Sequence, residues 1–199
     1  DLANNGTTTI NTGTGAGAVT FGAAIEGSSA SAPFNDLLVI TSGTGNVTFT
    51  GAIGATNALG GLTVNSSSGD GDITFTSTIG DGSGAGVEGI TAIGNSTTDD
   101  LNFTGAIFSF DGATTITAKS GDSIDVLAGA ATTFKTDEDN ITFATGNIAL
   151  TNSSDLTIDT GAGGGNITVG GEIAGTSVET VTIDAGTGTA SVGVIGTST

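Results

Sequence analysis

A short apolar–polar–apolar unit returns along this chain about every 25 residues, and few folds tolerate such a period. One series runs Leu62-Thr63-Val64, Ile90-Thr91-Ala92, Ile116-Thr117-Ala118, Leu156-Thr157-Ile158 and Val181-Thr182-Ile183, with Thr9-Ile10 and Leu38-Val39-Ile40 as earlier forms. A second series alternates with it: Val19-Thr20-Phe21, Val47-Thr48-Phe49, Ile73-Thr74-Phe75, Leu101-Asn102-Phe103, Ile141-Thr142-Phe143 and Ile167-Thr168-Val169. A weaker third piece ends in Ile25, Ile53, Ile79, Ile107, Ile148, Ile173 and Ile195. The stretch from Gly61 to Phe75 aligns with Gly89 to Phe103 without a gap. Register degenerates between Ser120 and Asn140, where one copy reads as shortened.

Within each unit the side chains alternate, so Leu62 and Val64 face one way and Thr63 the other, as half-buried strands require. Gly, Ser, Asn and Asp fill the joints and supply the sharp turns. Two or three short strands per period describe one coil of a solenoid. A lone coil cannot bury its inward face, but stacking coils about 4.8 Å apart does so and pairs each strand with its equivalents. The expected fold is all-β, a parallel β-helix (β-solenoid) of roughly eight coils forming a single domain over residues 1–199. Its interior would carry a stack of Phe21, Phe49, Phe75, Phe103, Val126, Phe143 and Val169. A β-sandwich is the alternative, since regular turns between alternating strands also fit that fold.

Composition removes whole classes of function. The chain has no Cys, Met, Trp or His, and Lys119 and Lys135 are its only cations against 20 acidic residues. The net charge of -18 opposes nucleic-acid binding and docking on anionic membranes. No apolar run reaches the length of a membrane helix, so no membrane insertion is expected. Without His or Cys, nucleophilic triads have neither their usual base nor a thiol. The acidic groups available to a glycosidase (Asp70/Asp72, Asp99/Asp100, Asp122/Asp125, Asp137/Glu138/Asp139) sit in Gly-, Ser- and Asn-rich corners, where Asp serves its own backbone. The chain is therefore read as a non-enzyme with no catalytic residues and no organic cofactor.

Calcium is the one cofactor candidate. Asp70, Asp72 and Asp81, in Gly69-Asp70-Gly71-Asp72 and Gly80-Asp81-Gly82-Ser83-Gly84, offer oxygen ligands on corners suited to a hard cation. The tandem nonapeptide of calcium-binding β-rolls is missing. Outward threonine pairs, Thr48/Thr50 and Thr74/Thr76, suggest an ice-binding ladder but do not recur on every coil. Gly161 to Gly165 is not followed by the Lys of a phosphate loop. The longest insertion, Glu26 to Asn35, is the place for a partner-contacting loop.

Units such as Gly45-Asn46-Val47-Thr48-Phe49-Thr50-Gly51-Ala52-Ile53, Gly71-Asp72-Ile73-Thr74-Phe75 and Ala58-Leu59-Gly60-Gly61-Leu62-Thr63-Val64-Asn65 resemble the glycine- and threonine-rich repeat regions of large bacterial surface proteins. These are autotransporter passengers and filamentous-haemagglutinin-like adhesins. The resemblance spans nearly the whole chain and is one of repeat style. It implies a right-handed parallel β-helix, exported and displayed as stalk, adhesin or coat, and it carries over no site residue. The expected role is a non-catalytic structural module, extracellular at the cell surface, acting as adhesin stalk or surface-coat element. The start at Asp1, with neither initiator Met nor leader pattern, suits a processed or excised segment. Alternatives are a self-assembling subunit of a filament, sheath or S-layer, and a calcium-dependent or polysaccharide-associated β-helix. Expected partners are the chain itself, through end-to-end or strand-exchange assembly, neighbouring coils of a longer chain, or a host or cell-surface ligand. Strand-like sequence at Thr7 to Ile10 and Ala190 to Ile195 leaves both ends without a charged cap.

Overall fold

The computed structural model describes residues 1–2, 5–66 and 71–196. Its elements are all strands, and they follow one another in a fixed cycle of three. The first coil contains β1 (Thr7–Asn11), β2 (Val19–Phe21) and the bridging residue Ile25. The second has β3 (Leu37–Thr41), β4 (Val47–Phe49) and Ile53, and the third has β5 (Gly61–Asn65), β6 (Ile73–Phe75) and Ile79. From the fourth coil the third position becomes a full strand: β7 (Thr91–Ile93), β8 (Leu101–Phe103) and β9 (Ile107–Ser109). The fifth is β10 (Thr114–Ile116), β11 (Ser123–Val126) and β12 (Thr132–Lys135), and the sixth β13 (Ile141–Phe143), β14 (Asn147–Leu150) and β15 (Leu156–Asp159). The seventh is β16 (Ile167–Val169), β17 (Ile173–Gly175) and β18 (Val181–Asp184). An eighth begins with β19 (Ala190–Val192), followed by Ile195 bridged to Ile173.

Strands of like position stack into three sheets that line a prism. Sheet A has eight strands (β1, β3, β5, β7, β10, β13, β16, β19) and sheet B seven (β2, β4, β6, β8, β11, β14, β17). Sheet C has four (β9, β12, β15, β18), continued toward the N-terminus by the bridges Ile25–Ile53–Ile79–Phe108. Every strand pair is parallel. This is the β-solenoid expected from the repeat, and a sandwich of antiparallel sheets is excluded. Seven steps of about 4.8 Å give a stack about 34 Å tall.

Inward positions form columns along the axis. In sheet A one column is Ile10–Ile40–Val64–Ile93–Ile116–Phe143–Val169–Val192, and in sheet B another is Phe21–Phe49–Phe75–Phe103–Val126–Leu150–Gly175. The first four rings of sheet B lie nearly coplanar-stacked, with centroids 5.2, 4.8 and 5.3 Å apart. Such contacts add to the burial of the rings themselves.

The expected aromatic stack is corrected beyond Phe103. Val126 holds its place, but Phe143 and Val169 belong to sheet A. The rings instead cross the interior: Phe103 meets Phe108 (4.8 Å) and Phe134 (5.0 Å) edge-on, Phe108 stacks on Phe134 at 4.9 Å, and Phe134 meets Phe143 edge-on at 5.4 Å. Likewise Leu156 to Ile158 and Val181 to Ile183 lie in sheet C, and Ile148, Ile173 and Ile195 in sheet B. The stretch from Ser120 to Asn140 is no shortened copy. It contains β11 and β12. An Ile-Thr-Phe triplet satisfies any sheet that needs two inward apolar positions, so residue type alone cannot say which of the three it joins.

A second correction concerns the gapless match of Gly61 to Phe75 with Gly89 to Phe103. Sheet B keeps that register, pairing Ile73 with Leu101. Sheet A slips by one, pairing Leu62 with Thr91 and Val64 with Ile93. A slip of one residue exchanges the two faces of a strand. It brings the bulky Ile93 into the core, where the gapless register would place Ala92, and leaves Ile90 outside, 75% exposed. The cost is visible at Thr91, whose buried hydroxyl lacks a hydrogen-bond partner.

Corners between sheets depend on glycine where coils approach closely. Gly54 has φ +63°, and a Cβ there would run into the Gly86 backbone of the next coil. The Glu26–Asn35 excursion is pinned by Asp36, whose buried carboxylate accepts hydrogen bonds from the Asn5 N–H (2.8 Å), the Ser28 N–H (2.6 Å) and the Ser28 hydroxyl (2.6 Å). The Ser28 hydroxyl, then its amide, hold this carboxyl below the usual carboxylate range.

Candidate functional site

Acidic side chains stand at the corners and at outward strand positions such as Asp125 in β11 and Asp159 in β15, because inward strand positions are taken mainly by apolar residues. Asp70 lies outside the described residues. Asp72 stands at the corner from sheet A to sheet B, just before β6. Its Oδ1 accepts the Asp100 N–H (3.4 Å), and its Oδ2 accepts the Asn46 side-chain amide (3.3 Å). Burial, followed by repulsion from Asp100 and Asp99, pushes the Asp72 carboxyl up. Further along the same corner, Ser123 Oγ is 3.0 Å from Asp100 Oδ1 and 2.8 Å from Asp125 Oδ2, so one hydroxyl proton serves two carboxyls. Burial also raises Asp125.

Asp81 stands elsewhere, on the loop after Ile79. Its Oδ1 accepts from the Ser83 N–H (2.8 Å), the Ser83 hydroxyl (2.7 Å) and the Gly84 N–H (3.0 Å), a turn that satisfies the carboxylate locally and lowers its pKa, the Ser83 hydroxyl first. The fold does not bring Asp72 and Asp81 together. Among the described residues no group of three or more Asp, Glu, His or Cys is arranged to hold a metal ion.

One concave surface of the molecule lies along the edge between sheets C and A, and another hollow of about 340 Å³ lies between sheets B and C beside Leu150, Ile173 and Val181. A groove of about 450 Å³ is lined by Ser83, Glu88, Phe110, Asp111, Lys135, Asp137 and Asp159. A shallower one of about 240 Å³, with Phe34, Thr56 and Asp81, shares Ser83, Gly84, Ala85 and Glu88 with it. Lys135, from β12, spans two coils to donate to the Gly82 carbonyl at 2.7 Å, fastening the loop that forms the rim.

At the centre are two carboxyls. The parallel bridge Val87–Phe110 places Glu88 and Asp111 one above the other on successive coils. Burial, a hydrogen bond with Asp111 and the charges of Asp111 and Asp137 raise Glu88 to about 7. Near neutrality Glu88 is therefore protonated in part, and in that form its carboxyl can donate a hydrogen bond to Asp111. This arrangement can bind through hydrogen bonds and exchange a proton. It does not provide the gap of about 5 Å or more that separates the carboxyls of glycosidases, because the two groups touch.

Sequence reasoning singled out Asp137, Glu138 and Asp139 beside Lys135, and of these Asp137 reaches the groove. It missed Glu88 and Asp111. Their signal was available in offset: each stands three residues before a paired residue of sheet A, Thr91 and Thr114. The threonine pairs stack as expected, Thr48 on Thr74, but the next residue in that column is Asn102, and the Thr76 hydroxyl turns back to the Phe49 carbonyl at 3.0 Å.

No protein-family model, no curated protein and no solved structure matches the chain.

Proposed function

We propose that this chain is a non-catalytic structural module of a bacterial cell-surface or secreted protein, serving as part of an adhesin stalk or surface coat. The observation that carries the reading is the continuity of the core. One column of Ile, Val and Phe runs from Ile10 to Val192 in sheet A and one of Val, Ile and Leu from Val19 to Ile195 in sheet B, and 34 apolar residues are buried among the described residues. Such a stack transmits load along its axis through three parallel sheets, each coil held only by its neighbours. Apart from a few exposed apolar residues such as Ile90 and Val178, outward residues are mostly small and polar or acidic, which suits an exposed body that must stay soluble. Support for a non-catalytic role comes from the groove, whose carboxyls are in contact, and from the lack of Trp, His and Cys. Antibodies raised against the purified chain and applied to intact source cells test the reading. Surface labelling that external protease removes is expected, and labelling seen only after permeabilisation would overturn it.

A further inference from the structure

The three walls of the prism carry different outer faces. Sheet C sets Lys135, Asp159 and Asp184 one above another on successive coils. Sheet B turns Asp125 outward on β11, near Asp72 and Asp100 at its rim. Sheet A has no charged residue in any of its eight strands. Its central outward column runs from Thr9 to Ser191 and holds five threonines, one serine, one valine and one alanine. Asn140 and Asn166, just before β13 and β16, are exposed and neutral, and their Oδ1 atoms accept the Asn166 and Thr189 N–H groups at 2.8 and 2.9 Å.

The same wall carries two of the exposed large apolar residues, Leu37 (40% exposed) and Ile90 (75%). Leu37 pairs with Gly61, and the Leu62 amide beside that glycine donates to the Ile90 carbonyl at 3.3 Å. The two apolar residues therefore stand on the coils either side of a residue that has no side chain.

Charge decides what such a wall can meet. Two bodies of net charge -18 repel wherever their acidic walls face one another. Contact through sheet A keeps the carboxylates at the rims and on the far walls. A basic partner would be drawn to the other two walls, and a phosphate-bearing one would be repelled by them. An uncharged wall of hydroxyls with two apolar anchors matches a surface like itself. At about 34 Å tall and about 14 Å wide, it would cover about 1,000 Å² counting both copies, which is the lower limit for a specific interface. The association is accordingly weak.

We propose that the outer face of sheet A is a self-association surface on which two copies of this chain meet face to face. Each copy contributes the same patch, so the contact closes at two and does not propagate. Leu37 and Ile90 are its apolar anchors, and the threonines are the polar surround. The contact requires the solenoid and does not depend on where the molecule is displayed.

Sedimentation equilibrium from about 1 μM to about 1 mM spans the affinities that such an area supports. The unaltered chain is expected to approach a dimer at the upper end and to form nothing larger. Raising salt from about 0.05 M to about 0.5 M is expected to tighten the dimer, because it screens the acidic rims. Ile90→Glu with Thr115→Glu puts carboxylates at exposed positions of the face and is expected to weaken association by about tenfold or more. Thr182→Glu, on the outer face of sheet C, is expected to dimerise like the unaltered chain. In small-angle scattering the dimer is expected to be thicker than the monomer and no taller than about 34 Å. An unaltered chain that stays monomeric at about 1 mM overturns the proposal. So does a dimer twice as tall, one that a calcium chelator disperses, or one that the folded double variant forms equally well. Monomers that scatter as a prism of the same height leave the rod intact when the surface fails, whereas an expanded coil removes both.

Discussion

The coils built from residues 7–75 and those built from residues 90–192 use the same fold in different ways. In the first group every ring carried by a strand stands in sheet B, at the same inward position, and the three rings Phe21, Phe49 and Phe75 stack nearly flat, while Phe34 lies apart on the Glu26–Asn35 excursion. In the second group the rings move from sheet B to sheet C and then to sheet A, meeting edge-on at Phe103, Phe108, Phe134 and Phe143. Charge divides along the same line, since only Asp1, Glu26 and Asp36 precede Asp70. The contrast teaches that a solenoid needs its interior volume filled at each level and does not fix which wall supplies the bulk. Where Phe leaves sheet B, Val126 and Leu150 take its column, and Phe134 and Phe143 fill from the other sides.

The sharpest way to break this comparison is at the crossing. Phe103→Ala removes a fully buried ring that contacts Phe75, Phe108 and Phe134, and is expected to cost about 3–5 kcal/mol in urea unfolding. Phe21→Ala, at the partly exposed start of the flat stack, should cost less than half as much. Equal losses would mean that the crossing is no tighter than the column it replaces.

Next in size is the anchor of the first group. Asp36→Ala deprives the Asn5 and Ser28 donors of a buried charged acceptor, an expected loss of about 1.5–3 kcal/mol. Because the folded pKa of Asp36 is lowered, its stabilisation is present above the unfolded value of about 3.9 and is lost as pH falls through the folded one. Urea unfolding of wild type and variant should accordingly converge in acid. A gap that persists there would show that Asp36 acts by shape and not by charge.

The register slip gives a smaller effect of opposite sign. Thr91→Val keeps shape and removes the unpartnered buried hydroxyl, so it is expected to stabilise by about 1 kcal/mol. A destabilised variant would mean that Thr91 faces a polar partner and that sheet A follows the gapless register.

Smallest is the groove. The folded pKa of Glu88 is raised to about 7 from an ordinary 4.5, so its contribution is complete below about 4.5 and disappears as pH rises through about 7. Asp111, Asp137, Asp159 and Lys135 line the same groove, and Glu88→Gln keeps the donor toward Asp111 while removing the charge. Thermal midpoints of the variant should match wild type near pH 4 and exceed it increasingly above pH 7. Parallel profiles across that range would dismiss protonated Glu88 as a donor to Asp111.

Much of the fold was legible because period-two strands at a near-constant interval admit few architectures. Leu62, Val64, Ile73 and Phe75 could be turned inward from alternation alone, and the structure agrees. Sheet membership was not legible. Ile141-Thr142-Phe143 has the composition of a sheet B strand and the position of a sheet A strand, and only the count of residues through β11 and β12 decides between them. The slip at Ile90 was hidden for a related reason: either register buries an apolar residue, and the greater volume of Ile93 over Ala92 settles it. Corner aspartates were visible one by one, but the meeting of Glu88 with Asp111 depends on the Val87–Phe110 bridge, which no repeat unit displays.

The central claim, three parallel sheets with Phe143 in sheet A, can be tested by a pair of engineered cysteines in a chain that has none of its own. Thr115 and Thr142 are direct neighbours on the outer face of sheet A, at the spacing of about 4.8 Å between adjacent strands that a disulfide can span. Asp125 lies in sheet B, where the simple repeat alignment would set it beside Thr142. Under mild oxidation, Thr115→Cys with Thr142→Cys is expected to cross-link, and Asp125→Cys with Thr142→Cys is not. Efficient cross-linking of the second pair and none of the first would contradict the account.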